Sequence, residues 1–411
     1  MAKPVLYAMR SSLYSSKARS YLLKQGIDYT ETPPGDPAYA AEVTPAIGRW
    51  IIPVLKTADG RLIQDTEDII DHLDAEVPAD RSVDPDGGVL SVLSRVLSMF
   101  GSEGLMRPAL HFRWNFDEHN MPFVLEDFGR GLVLPGGASA FASTSLDSSE
   151  GDSQSVVETR AQVAEFAGNR MRDLTVEFGV NKETIPEIER SYSEFLALLS
   201  AHLERAPYLL GGRPTRGDFA FMGPLYAHLS RDPYPQAIMK RDAWPVWSWT
   251  ERMMVPISGT GQYGDVSTEL FTNESIPQSL KDLLAYIGRE FADEVRAHVG
   301  FIDGYLAENP EVAEGDVVAG KATRRSLGKF TWAWRGHEIE THAIPYRVFH
   351  LQRIQQAFAQ LDSAGQKATR DLLAEAGLEV LLDIRPRRRV ERADNREVWG
   401  AAQEPALGTV V

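Results

Sequence analysis

Ser11, Ser12, Ser15 and Ser16 crowd one turn near the start of the chain. An apolar strand ends just before them (Val5, Leu6, Tyr7). A short helix follows, with Ala18, Tyr21 and Leu22 at helical spacing, and Gly26 stands where a C-terminal glycine would close it. A strand that turns sharply into a helix gathers unpaired N–H groups and the positive end of the dipole in one place. Hydroxyls at that place favour an anion: a phosphate, a carboxylate or a thiolate. Free thiols ionise at about pH 8.5, and a helix N-terminus with one hydroxyl donor lowers that value. The plainer alternative is that the serines only cap the helix.

The 411-residue chain holds no cysteine. Disulfides, a thiolate nucleophile of its own and thiolate metal ligands are therefore excluded, and any sulfur must arrive with a ligand. A net charge of −15 argues against general affinity for nucleic acid or anionic membranes. Hydrophobic content of 43% and charged content of 25% are ordinary for a globular protein. The first residues, MAKPVLYAMRSS, lack a signal-type apolar region, and no long apolar run follows, so a cytoplasmic location is expected. His337-Glu338-x-Glu340-x-His342 misses the HExxH spacing. On a strand, Glu338, Glu340 and His342 share one face, read here as a solvated hairpin face, and no metal is expected. The basic run Arg385–Arg389 is read as pairing with the chain's own carboxylates or with solvent.

The elements that position the serines form a small α/β unit over residues 3–78. Strand Val5–Tyr7 leads to helix Ser15–Gln25, a short strand falls within Asp28–Thr32, and Trp50–Leu55 pairs with Arg61–Ile63 across an Asp59-Gly60 turn. Thr66 opens an amphipathic helix with Ile69, Ile70 and Leu73 on one face. Pro53 inside an apolar strand forfeits a ladder hydrogen bond. It marks either an edge strand or a cis-proline that presents Ile52 to a ligand. Residues 79–90 read as a linker, and helices begin at Val89. Residues 135–155 have the composition of a mobile Gly/Ala/Ser insertion. Helical patterns resume over 156–178, 185–205 and 276–306. A hairpin is expected at 329–343, helices at 348–361 and 364–376, a strand at 378–384, and then a loose tail. There is no internal repeat.

Three pieces together resemble a known family: Ser12-Leu13-Tyr14-Ser15-Ser16-Lys17-Ala18-Arg19, Ile52-Pro53-Val54-Leu55 and Asp65-Thr66-Glu67-Asp68-Ile69. Their order resembles the thioredoxin-like N-terminal domain of cytosolic glutathione transferases. Leu13 departs from the proline of many bacterial members, and Asp65-Thr66 from the usual Glu-Ser or Gln-Ser. A second match follows at Tyr208-Leu209-Leu210-Gly211-Gly212-Arg213-Pro214 and the capping box Thr215-Arg216-Gly217-Asp218. It is similar to the start of a central helix in the all-helical C-terminal domain of that family. The two matches cover roughly 3–255. The implied organisation is a thioredoxin-like domain over 1–78, an all-α domain over 89–255, and a mixed α+β extension over 256–411.

The resemblance implies glutathione as co-substrate and attack of its thiolate on a small electrophile, in a homodimer with no nucleic-acid or membrane partner. Ser12 matches the thiol-contacting position, with Ser11 and Ser15 as rivals. Ile52, before Pro53, would hold the cysteinyl part. Asp65 and Thr66 would hold the γ-glutamyl end, and Arg49 the glycyl carboxylate unless it is a plain surface arginine. The second substrate would lie over Ser12, against Leu13, Tyr14, His111, Phe112, Trp114 and Phe116, residues that core packing would equally explain. Two other readings stay open. One is a glutathione-dependent lyase, isomerase, dehalogenase or disulfide reductase. The other is a non-catalytic binding protein.

Overall fold

The computed structural model describes residues 3–134, 154–256, 263, 269–321 and 323–407. The chain opens with β1 (Val5–Tyr7), α1 (Leu13–Lys24) and β2 (Thr30–Thr32), then a wide turn at Tyr39–Val43 and α2 (Thr44–Ile47). β3 (Val54–Lys56), β4 (Leu62–Gln64) and α3 (Thr66–Asp74) complete a thioredoxin-like unit. The sheet order is β2-β1-β3-β4, with β1 parallel to β2 and antiparallel to β3. Alternation along the strands sends Leu6 and Leu55 to one face with Ala18, Leu22 and Ile69, and Tyr7 and Val54 to the other with Tyr39, Val43 and Ile47.

The helical part begins with α4 (Gly88–Met99), which runs through a wide turn at Phe100–Gly104 into α5 (Met106–Trp114). Among the described residues this run alone is long and apolar enough to cross a membrane, but it is mostly buried inside the protein. α6 (Asp117–Leu132), α7 (Gln154–Asp173), α8 (Ile185–Leu203), α9 (Arg216–Pro224), α10 (Pro233–Asp242) and α11 (Trp244–Met253) follow. The insertion expected at 135–155 falls outside the described residues, apart from the first residues of α7. The expected box caps α9: the Thr215 N–H donates to the Asp218 carboxylate at 2.8 Å. The other carboxylate oxygen accepts the Leu209 N–H at 3.0 Å and the Trp249 indole at 3.3 Å. Asp218→Ala should therefore cost about 3 kcal/mol, more than a cap alone, because three buried donors lose a charged acceptor. Denaturant unfolding reads this directly, and a loss under about 1 kcal/mol would refute it.

Beyond residue 276 come α12 (Gln278–Glu308), β5 (Lys329–Trp334), β6 (His337–His342), α13 (Tyr346–Ala359) and α14 (Ser363–Glu375). α15 (Val380–Asp383), β7 (Arg388–Ala393) and β8 (Arg396–Ala402) close the chain. The β5–β6 hairpin lies where its alternation placed it, with Glu338 and Glu340 exposed. Two expectations need correction. Where a strand was expected over 378–384, Val380–Asp383 form a short helix, because Leu378, Leu381 and Leu382 all enter the core at i, i+3, i+4 spacing. The supposedly loose tail is an antiparallel hairpin, turned by Asp394 and Asn395 at φ 47° and 63°. Its Val390 and Trp399 are buried in the main core.

Candidate active site

The first turn of α1 sets the chemistry. Ser12 is its N-cap, and its Oγ accepts the Ser15 N–H at 3.2 Å. That bond uses a lone pair and leaves the hydroxyl proton free to donate. Ser11 is buried, and its hydroxyl has no hydrogen-bond partner among the described residues. Its carbonyl accepts Arg113 Nη1 at 2.8 Å and faces His228 Nε2 at 3.2 Å. Burial, helped by Arg113, pushes the His228 imidazole well below its usual value. Arg113 is itself clamped by Asp232 at 2.6 and 2.7 Å. The serine turn is thus held from behind by a buried ion pair.

Ser11, Ser12, Leu13 and Tyr14 form the floor of a cavity of about 400 Å³. Met9, Trp50, Ile52, Leu110, Trp114, Phe128 and Leu132 also line it, with Met9, Ile52, Phe128 and Leu132 packed together. Phe166, Arg170, Met171 and Leu174 of the α7 segment stand at its rim. Phe166 is 63% exposed and Trp50 41% exposed. Large apolar side chains left open around a concavity mark a binding site for an apolar molecule. Burial raises the Tyr14 phenol, with Glu103 adding to the effect, so its hydroxyl stays protonated. The Ile52–Pro53 peptide is cis, and Pro53 precedes the interior strand β3 instead of marking an edge.

Residues 6–81 match the glutathione S-transferase N-terminal domain. Over that stretch the chain carries a glutathione S-transferase N-terminal domain. Solved structures similar to it include a glutathione S-transferase from Rhodospirillum rubrum F11, at 14% identity over 68% of this chain and 99% of that one, TM-score 0.35. A Methylobacillus flagellatus glutathione S-transferase with glutathione bound shares 16% identity over 62% of this chain and 100% of that one, TM-score 0.32. A glutathione S-transferase-like protein from Pseudomonas syringae shares 14% identity over 83% of this chain and 96% of that one, TM-score 0.40. No curated protein sequence matches the chain.

Around this domain the expected site residues divide. Ser11, Ser12, Leu13, Tyr14, Ile52 and Trp114 meet at the cavity. Ser15 does not: it is fully buried, and its Oγ accepts the Met9 N–H at 3.3 Å. His111, Phe112 and Phe116 also lie away from the cavity. On α5, Leu110, Arg113 and Trp114 share the face toward it, while the intervening residues point elsewhere at about 100° per residue. His111 pairs with Glu189 at 3.0 Å, Phe112 packs on Tyr192, and Phe116 stacks on Tyr234 with ring centres 3.7 Å apart. Trp50, Arg113, His228 and the α7 rim went unread in the sequence. A tryptophan two residues before Ile52 was the available signal for the first. Nothing local signals a buried arginine or histidine.

Arg49 and Asp65 face the C-terminal region instead of the cavity. Arg49 is buried and gives Nη1 to Glu397 at 3.0 Å and Nη2 to Gln64 at 3.1 Å, so it is not a surface arginine. Asp65, at φ 91°, caps α3 by accepting the Glu67 N–H at 2.8 Å, and it also accepts the Tyr346 hydroxyl. Thr66 beside it is buried. Glu397 also meets Arg325 at 2.9 Å and Arg392 at 3.3 Å. Burial opposes its charge, but Arg325, Arg49 and Arg392 prevail and hold the carboxyl at about 2. A depressed carboxyl stabilises the fold above its unfolded value and loses that contribution as pH falls. Glu397→Gln should flatten the acid limb of stability between about pH 4.5 and pH 2, measured by thermal melts across that range. An unchanged limb would refute the arrangement.

Proposed function

We propose that this chain is a glutathione transferase-like enzyme. The thiolate of glutathione, held at the N-terminus of α1, attacks a small apolar electrophile lodged in the adjacent cavity. The reading is carried by one observation: Ser11, Ser12 and Ile52 share one cavity with a largely apolar lining. Ser12 donates to the sulfur, the α1 dipole favours its negative charge, and Ile52 offers backbone groups to the cysteinyl part. The thiol sulfur forms a bond to the electrophilic carbon, and the leaving group departs with the electron pair. Homodimer formation and a cytoplasmic place belong to the same proposal.

The experiment is conjugation of glutathione to a chloronitrobenzene-type electrophile, followed alongside retention on immobilised glutathione. Turnover that depends on Ser11 or Ser12 supports the reading. A second, binding-only reading draws support from the engagement of Arg49 and Asp65 by the C-terminal region. It prevails if glutathione is retained and no electrophile turns over. Absence of both retention and turnover defeats both.

A further inference from the structure

Two of the three places that would grip glutathione are held by the chain's own C-terminal region. Glu397 places a carboxylate on Arg49, as the glycyl carboxylate of the tripeptide would. The Tyr346 hydroxyl sits on Asp65, and the start of α3 is closed, with Asp65 8% and Thr66 3% exposed. The Asn395 amide lies along β4, accepting the Gln64 N–H at 2.7 Å and donating to the Leu62 carbonyl at 3.1 Å. Arg392 reaches the Gln64 carbonyl at 2.7 Å and Asp68 at 2.6 Å. Together these groups supply a carboxylate, an amide, a hydroxyl and a guanidinium to the positions a peptide ligand would satisfy.

We propose that Glu397, with Tyr346, Arg392 and Asn395, is an internal competitor for the charged ends of glutathione. The site then holds its co-substrate mainly by the thiol and accepts compact thiols about as readily as the tripeptide. This rests on the thiol reading of the Ser12 cavity proposed above.

The competitor is not a loose flap. Val390 and Trp399 anchor β7 and β8 in the core, and the Gln352 side chain bonds the Val390 N–H at 2.9 Å and its carbonyl at 2.7 Å. Withdrawing the hairpin would expose those apolar side chains to water, which the hydrophobic effect opposes. Ser12 and Ile52 remain open to the cavity, so the thiol end is untouched. A ligand carboxylate that must displace a matched internal carboxylate gains only the difference between two similar ion pairs.

The test compares glutathione with 2-mercaptoethanol as thiol donor to the same electrophile, each kcat/KM divided by the uncatalysed rate with that thiol. In the wild type the two normalised values should agree within about tenfold. Glu397→Gln and, independently, the milder Tyr346→Phe should lower the KM for glutathione by about tenfold and leave that for 2-mercaptoethanol unchanged. A wild-type preference for glutathione of about a hundredfold or more overturns the inference and leaves the thiol reading standing. So does an unmoved glutathione KM in two folded variants. Failure of both thiols to react or bind overturns the thiol reading and this inference together.

Discussion

Ser12→Ala is expected to lower kcat/KM for thiol conjugation at neutral pH by about 10²–10³-fold, the range for removing one preorganised donor from a developing or full anion. The hydroxyl accepts the Ser15 N–H, and in the proposed reading its proton goes to the sulfur. Alanine removes both functions. Cap loss costs about 1 kcal/mol of stability, which cannot by itself explain a rate loss of that size. The pH profile separates the two effects. Without the donor the bound thiol titrates higher, so the rate should recover as pH rises toward the free-thiol value of about 8.5. A merely structural cap would depress the rate equally at every pH. Ser12→Thr should restore most of the activity. If Ser11→Ala carries the whole loss and Ser12→Ala does not, the donor is Ser11, whose buried hydroxyl also faces the cavity.

Local chemistry made the α1 turn, the Ile52-Pro53 corner, the Thr215–Asp218 cap and the β5–β6 hairpin legible in the sequence. Each rests on residues within a few positions of one another, so propensity and capping rules reach them. The residues that complete the site depend on packing across long separations. Arg113 is singled out only because Asp232 and the Ser11 carbonyl lie behind it. Arg49 reads as a ligand-binding or surface residue until Glu397, far along the chain, arrives on it. The β7–β8 hairpin was hidden for another reason. Its turn uses Asp394-Asn395 without glycine, and its first strand is arginine-rich, so the run looks like a solvated basic segment. Those arginines are paired: Arg389 with Glu391 and Arg392 with Asp68, and Arg387 just before the strand with Asp303.

Arg216→Met is expected to be the most destabilising single change, costing about 3–5 kcal/mol, because it strips one member from a buried charge network. Arg216 is 1% exposed and bonds Asp84 at 3.0 and 2.6 Å, Asp71 at 2.7 Å and Glu67 at 3.1 Å. Glu67, equally buried, also takes Lys17 of α1 and accepts the Ser98 hydroxyl of α4 at 3.2 Å. Arg353 of α13 closes the circuit on Asp71 at 2.6 and 2.8 Å. The network therefore joins the thioredoxin-like unit, the helical part and the C-terminal region through two guanidinium groups, Arg216 and Arg353. Burial would raise the Glu67 carboxyl, but Lys17, Arg216 and Arg353 hold it well below its usual value. A depressed carboxyl lends stability above its unfolded value of about 4.5 and loses it as pH falls below that. With Arg216 gone, Glu67 is less depressed and has less to lose. The wild-type advantage in denaturant midpoint should thus be large at pH 7 and narrow toward about pH 4. Arg216→Lys should not restore it, because one ammonium cannot span three carboxylates with a planar fork. A loss under about 1 kcal/mol at pH 7, or a gap that stays constant into acid, would show that the network contributes little beyond packing.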